Sequence, residues 1–315
     1  MKNLLNSYGA AALLSFLLWT GCDRPAALSF KKDDQGYLIT EADKPILFFQ
    51  VAPKAIDGKF ERAGYVHPLY DWEGKELTQD GPADHPHHRG IFWAWHQVLW
   101  RGQPIGDSWV SDKIRFVPGD NRVLSDNESV TIQSELIWMA DSLEADDKKI
   151  VREQVKVRVH QSEEDYRLID FSISLFPLKD SIAIGGSDDS KGYGGFSTRW
   201  KLPDDLQFFS GDSLLQPRET AVPGAGWISF TGTFNDNRKQ TITLFCKEVY
   251  PGPTQAWILR GPDETSMQNA LFPGRKPFIL REEGLKLRYR IVIQKTALPN
   301  ETIKELFNTY QKEIE

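Results

Sequence analysis

Val155-Lys156-Val157-Arg158-Val159-His160 alternates an apolar with a polar residue at every step. In an extended chain successive side chains point to opposite faces, so the valines share one face and the cations and imidazole the other. That is the signature of a half-buried β-strand. The same period recurs in Leu168 to Leu175, Thr241 to Phe245 and Leu285 to Ile293. Between such runs lie turn-forming clusters: Asp33-Asp34-Gln35-Gly36, Pro118-Gly119-Asp120-Asn121, Gly232 to Asn237 and Pro251-Gly252-Pro253. Strand after strand with turns between, and hardly any helical period, predicts an all-β fold, a large antiparallel β-sandwich. The exception is the C-terminus. There Asn300, after Pro299, is expected to cap a short helix whose Ile303, Leu306, Phe307 and Tyr310 share one face.

The first residues read as a processing signal. Lys2 gives a positive start, Ala10 to Trp19 is an apolar run too short to span a bilayer, and Thr20-Gly21 precede Cys22. This order predicts a lipoprotein signal peptide over 1–21, acylation of Cys22, a tether over 22–30 and a single folded domain over 31–315. The expected location is the periplasm or the outer-membrane surface, with the membrane as a partner through the N-terminal lipid. The formal net charge is −6 and the basic residues are interspersed with acids, which argues against nucleic acid as a partner. Besides Cys22 the chain has one cysteine, Cys246, in an apolar segment. Neither a disulfide framework nor a cysteine-rich zinc site is expected, and Cys246 reads as an inert thiol.

Five of the six histidines lie between His67 and His96, and three sit in Asp84-His85-Pro86-His87-His88-Arg89-Gly90. Pro86 restricts His85 to an extended conformation. Continued as an extended chain, the segment would point His85 and His87 to one side and His88 to the other. Imidazole changes charge near neutral pH and, when neutral, is the commonest metal ligand. Three uses of the cluster stand open: a hydrogen-bonded loop brace, a metal-free acid/base site, or a divalent-metal site with His85 and His87 as candidate ligands, helped by Asp84 or His67. No familiar zinc spacing is present, and Pro86 rules out a helical His-Glu-x-x-His arrangement.

Downstream, Ile91-Phe92-Trp93-Ala94-Trp95-His96 reads as a strand with Trp93 and Trp95 on one face and Phe92 and His96 on the other. Indole faces beside acids suit a sugar ring, whose apolar faces pack on aromatics while its hydroxyls seek fixed polar partners; the alternative use of these indoles is core filling. Trp109, accompanied by Asp107, is the better stacking candidate. Glu153 and Asp170 place carboxylates in apolar strands, where desolvation raises a pKa toward general-acid use. The glycine-rich run ending at Arg199 is expected to carry Tyr193 and Arg199 toward the site.

His67-Pro68-Leu69-Tyr70, Gly74, Leu77-Thr78, Pro82 to Gly90 and Asp107-Ser108-Trp109 together resemble a family of bacterial exported proteins labelled "methane oxygenase PmoA". The resemblance runs from about Phe48 to Ile293 and includes Glu153, Asp170, Arg199, Trp257 and Leu287-Arg288-Tyr289-Arg290. Nothing in the chain looks like a membrane-embedded copper oxygenase. The strand-rich pattern and early histidine motif are similar to the galactose-mutarotase-like supersandwich, a fold shared by sugar epimerases, lyases and some glycosidases. The sequence departs from the family pattern at His96, where glycine is commoner, and around Lys247 to Pro253, where a His-Pro-Asn-like segment is usual.

These readings converge on a carbohydrate-active enzyme, a hydrolase or lyase of a glycan or modified sugar. A mutarotase-like epimerase and a non-enzymatic glycan-binding lipoprotein are the alternatives. The expected catalytic set is His87, His88, Asp84, Arg89, Glu153 and Arg199; the expected substrate-binding set is His67, His96, Asp107, Trp109 and Tyr193.

Overall fold

The structure, a computed structural model, describes residues 27–224, 226–235, 238–247, 256–262 and 266–313. The expected signal peptide and Cys22 lie outside the described residues. Leu28–Lys32 already forms a strand, paired with Gly36–Glu41, so the folded domain begins inside the segment read as a tether.

The period-2 runs become long strands. Ser129–Ala140, Lys149–His160, Tyr166–Pro177 and Leu285–Gln294 are neighbours in one nine-stranded sheet, which continues through Arg238–Lys247 and Trp227–Phe234. These pairings are antiparallel. A second nine-stranded sheet includes Lys44–Gln50, Tyr65–Leu69, Ile91–Trp95, Gly194–Arg199 and Met267–Leu271 in that spatial order, also antiparallel. Below, the sheet containing Ile91–Trp95 is called the histidine sheet and its counterpart the long-strand sheet. Chain order within each is antiparallel with crossovers, the β-sandwich read from the sequence.

The inner faces meet through large aromatics. Phe196 of the histidine sheet lies 4.2 Å, ring centre to ring centre, from Tyr289 and 5.2 Å from Phe171 of the long-strand sheet. Trp95 packs 5.9 Å from Trp138 across the same gap. Burying such rings is the principal favourable contribution to the sandwich, at roughly 25 cal/mol per Å² of apolar surface. Trp93 and Trp95 are therefore core residues, while Phe92 and Ala94 turn to the opposite face and join Tyr65, Trp109 and Met267. The two-faced reading of 91–96 holds, and the indoles on the inner face are the core fillers.

The terminal helix spans Asn300–Lys312. Ile303, Leu306, Phe307 and Tyr310 pack on Phe245, Val292 and Trp227 on the outer side of the long-strand sheet. Asn300 does not cap it: Pro299 holds the cap position, and the Asn300 amide bonds the Asp212 carboxylate instead. Cys246 is half-buried and unbridged.

Candidate functional site

The segment Pro82 to His88 is not extended but folds into two consecutive tight turns. The His85 N–H donates to the Pro82 carbonyl (3.0 Å) and the His88 N–H to the His85 carbonyl (2.9 Å). Pro86 drives the second: it restricts His85 as expected, but its fixed φ also suits the second position of a β-turn, so the chain reverses instead of running on. The reversal gathers all three imidazoles. His85 and His88 stack at 4.7 Å and 16°, and His87 meets His88 edge-on at 4.6 Å. Gly90, which follows, enters the strand where a Cβ would lie 2.4 Å from the Val66 carbonyl oxygen, so no larger residue fits there.

The cluster opens onto a hollow of about 260 Å³ on the outer face of the histidine sheet, lined by His85, His87, His88, His96, Trp109, Lys191, Tyr193 and Met267. One wall is pinned by Asp84. Its carboxylate accepts two hydrogen bonds from Arg199 (2.9 and 2.7 Å) and pairs with His85 Nδ1 at 3.0 Å. Burial pushes the Asp84 carboxyl up, but the bonds from His85 and Arg199 outweigh it and hold the pKa at about 2. Arg199 also reaches Gln79 (3.0 Å) and, through Nη1, His88 Nδ1 (3.4 Å). A guanidinium can only donate, so His88 Nδ1 is the acceptor and its proton sits on Nε2. Burial, followed by the neighbouring His87, His85 and Arg199, drives the His88 pKa down to about 2, and burial with His85 and His96 drives His87 to about 4. Both rings are neutral at physiological pH.

The opposite wall is built by Asp107. Its Oδ1 accepts the backbone N–H groups of Trp109 (2.7 Å) and Val110 (3.1 Å), a side-chain-closed turn that fixes the indole, and its Oδ2 bonds His96 Nδ1 at 2.8 Å. With Nδ1 committed to the carboxylate, Nε2 of His96 is the free acceptor of an oriented Asp–His pair. Trp109 stacks on His96 at 5.2 Å and 24°, and the Tyr193 ring stands 5.9 Å from the indole, tilted by 45°.

The structure adds a residue that the sequence reading missed. Arg260, 4% exposed, donates to the Tyr193 hydroxyl through Nε (2.9 Å) and Nη2 (2.5 Å), and is itself anchored on the carbonyls of Arg218, Glu219 and Leu259. Two N–H groups aimed at the phenol oxygen stabilise negative charge there. The weak signal for Arg260 was a cation in the apolar run Trp257-Ile258-Leu259. Lys191, also unforeseen, puts an ammonium at the rim, 3.8 Å from Glu219.

Three expected site residues are not brought to the hollow. Arg89 is fully buried, donating to Asp80 (3.2 Å) and to the carbonyls of Lys54 (2.9 Å) and Phe60 (2.5 Å), and it fastens a neighbouring loop. Its position in the motif suggested catalysis, but the backbone carbonyls of that loop need a donor more than the hollow does. Glu153 lies between the sheets, 1% exposed, accepting from the indoles of Trp93 (2.7 Å) and Trp138 (2.6 Å). It shares the parity of Val151, Val155 and Val157 and so faces the core. Burial raises its pKa to about 7 against the opposing charge of Arg62 and the two indole bonds. His67 bonds Thr78 Oγ1 at 3.0 Å and lines a separate depression with Lys31 and Lys54. Among the described residues no group of three His, Cys, Asp or Glu side chains is placed to hold one metal ion; the rings of His85 and His87, the candidate ligands, stand 5.7 Å apart.

The chain belongs to a family of unknown function (DUF6807), whose profile matches residues 38–308. No curated protein matches the chain.

Proposed function

We propose that this protein is a carbohydrate-active enzyme of the cell envelope, tethered through Cys22, that moves a proton at a carbon atom of an acidic or keto sugar bound in the histidine hollow. The observation that carries the proposal is the packing of two oriented groups against Trp109: His96, held by Asp107 through Nδ1 with Nε2 turned away from that bond, and Tyr193, whose phenol oxygen accepts from Arg260. Trp109 supports the apolar face of a sugar ring between them. The hollow's volume of about 260 Å³ is slightly below the ~300–1,000 Å³ usual for small-molecule sites, which favours one ring over a chain.

The residue types favour elimination or epimerisation over hydrolysis. Glycoside hydrolysis ordinarily needs two carboxyl groups flanking the bond. Among the described residues no Asp or Glu lines the hollow, and Asp84 and Asp107 are both engaged by neighbouring side chains. Proton abstraction instead needs a carbon made acidic by an adjacent carboxylate or carbonyl. Lys191 and the neutral Nε2–H of His88 supply a charge and a donor for that group. In elimination, His96 removes the C–H proton, the carbon–oxygen bond to the neighbouring residue breaks, and Tyr193 protonates the departing oxygen. In epimerisation, Tyr193 returns a proton to the opposite face of the same carbon.

The test is to incubate the purified protein in deuterium oxide with oligosaccharides of uronic acids and with keto sugars. Carbon-bound deuterium and unsaturated or epimeric products would be followed by NMR. Exchange is expected with the wild type and a loss of at least a hundredfold in His96→Ala and in Tyr193→Phe, both retaining the wild-type melting curve. Ring binding without exchange or turnover across the whole set would make the protein a sugar-presenting lipoprotein and sink the enzymatic reading.

A further inference from the structure

We infer that Arg62 and Ser108 are positioning residues of the hollow, a buried clamp that seats Asp107 and Trp109 against His96; the inference rests on the acid–base reading of that site. The groups to be aligned come from two pieces of chain. His96 follows the strand Ile91–Trp95. Asp107 and Trp109 belong to a turn that reciprocal backbone bonds between Asp107 and Asp112, both 2.9 Å, close on itself. The turn is fixed internally, and what remains to be set is where it sits on the strand. Ser108, fully buried, makes the first tie. Its Oγ donates to the Trp95 carbonyl (2.9 Å) and accepts the Trp95 N–H (2.9 Å), while its own N–H donates to the same carbonyl (3.0 Å).

Arg62, at the end of the strand Lys59–Arg62, makes the second tie. Its Nη1 donates to the Ser108 carbonyl (3.0 Å) and its Nη2 to the Trp93 carbonyl. One planar guanidinium thus spans turn and strand, and its rigid fork sets their separation as a flexible ammonium does not. The guanidinium lies 5.2 Å from the Phe92 ring and 4.5 Å from that of Phe116. Phe92 in turn meets Trp109 edge-on at 5.3 Å, so the same side chain backs the stacking indole. This is an expensive way to fill space. Arg62 is 3% exposed, and burial, opposed by the charge of Glu153, lowers its pKa to about 10, which leaves it a cation at neutral pH. Its hydrogen bonds go to neutral carbonyls, and Nε has no partner among the described residues, so the desolvated charge is incompletely compensated. An apolar side chain would pack there without that penalty. The guanidinium contributes alignment instead, and misplacing a catalytic group by about 1 Å lowers a rate on the order of a hundredfold.

The test reads the His96 ring directly, with no substrate present. Nitrogen-15 NMR of the histidine rings in the full chain, in mildly alkaline buffer, is expected to show wild-type His96 protonated at Nδ1 alone, the form that donates to Asp107. Arg62→Lys keeps the charge but cannot bridge both carbonyls; Ser108→Ala keeps every Arg62 bond and cuts the tie to Trp95, so it serves even if the lysine variant does not fold. Each is expected to give a mixture of Nδ1–H and Nε2–H forms, with kcat for deuterium exchange at least tenfold lower and KM changed by less than about threefold. Arg167, equally buried and bonded to Glu41 and Ser162, supplies the comparison: Arg167→Gln is expected to keep the single tautomer and the wild-type kcat. A wild-type ring that is already mixed, a folded clamp variant that keeps the pure Nδ1–H form, or equal mixing in Arg167→Gln would overturn the inference. Because the ring is read without turnover, a wild type with the single tautomer and no exchange on any sugar would remove the acid–base reading and leave the clamp standing.

Discussion

Replacing Glu153 by glutamine tests whether this carboxyl is a core group that the sandwich keeps protonated. Its pKa of about 7 in the fold compares with a reference value of 4.5. A group whose folded pKa is raised binds more protons in the native state, so its contribution to stability is full below about pH 4.5 and is lost as pH rises through about 7. At roughly 1.4 kcal/mol per pKa unit, the wild type should lose about 2–3 kcal/mol of this contribution between pH 5 and 8.5. The amide introduced by Glu153→Gln carries no charge and escapes the loss. It has one acceptor oxygen for two indole donors, however, because its nitrogen cannot accept from Trp93 or Trp138. The unpaired indole costs about 1–3 kcal/mol at every pH. Urea denaturation of both proteins across that range should therefore show Glu153→Gln less stable at pH 5, with the gap closing or reversing by pH 8.5. A stability difference that stays constant from pH 5 to 8.5 would refute the assignment of a raised pKa to Glu153. Retained deuterium exchange in the variant would confirm that the residue stands apart from the chemistry.

Arg89→Met should destabilise the fold by about 1–3 kcal/mol, because it leaves the carbonyls of Lys54 and Phe60 without their donor, while the buried Asp80 carboxylate (side chain 3% exposed) keeps Lys54 Nζ at 2.8 Å and the Tyr65 hydroxyl at 3.2 Å. Chemical denaturation reads this, and loss of ligand binding in a variant that remains folded would contradict the purely structural role given to Arg89. Asp84→Asn removes the partner of the buried Arg199. Since the Asp84 side chain is 43% exposed, solvent screening limits the cost to about 1 kcal/mol. With a folded pKa of about 2 against 3.8, the carboxylate stabilises above about pH 4, and that increment fades as pH falls toward 2. A melting-temperature series at low pH should show the fade in wild type and not in the variant.

The period-2 runs exposed more than strands. The alternation of 155–160, carried back to Glu153, groups that residue with the valines of the inner face and not with the catalytic set in which it was expected, and the alternation in 91–96 placed His96 on the face opposite Trp93 and Trp95. Parity is a local property of extended backbone, and local properties survive into the fold. The turn over Pro82 to His88 was harder to read. A residue preceding proline is extended whether the chain then continues or reverses, and only the hydrogen bonds to the Pro82 and His85 carbonyls distinguish the two. Arg89 was misplaced because motif proximity says which residues are near in sequence, not which buried carbonyls lack a donor.

Composition and pattern alone determined an all-β sandwich with a terminal helix, and they marked a histidine-rich segment with Asp107 and Trp109 as its candidate neighbours. Tertiary structure decided the rest, because strand register and sheet packing bring together residues far apart in the chain. Arg260 reaches Tyr193 across 67 positions. Lys156, Arg288 and Lys247, scattered among acids in the sequence, align in one row only once their strands pair. Charge spacing along a chain is not charge spacing on a surface.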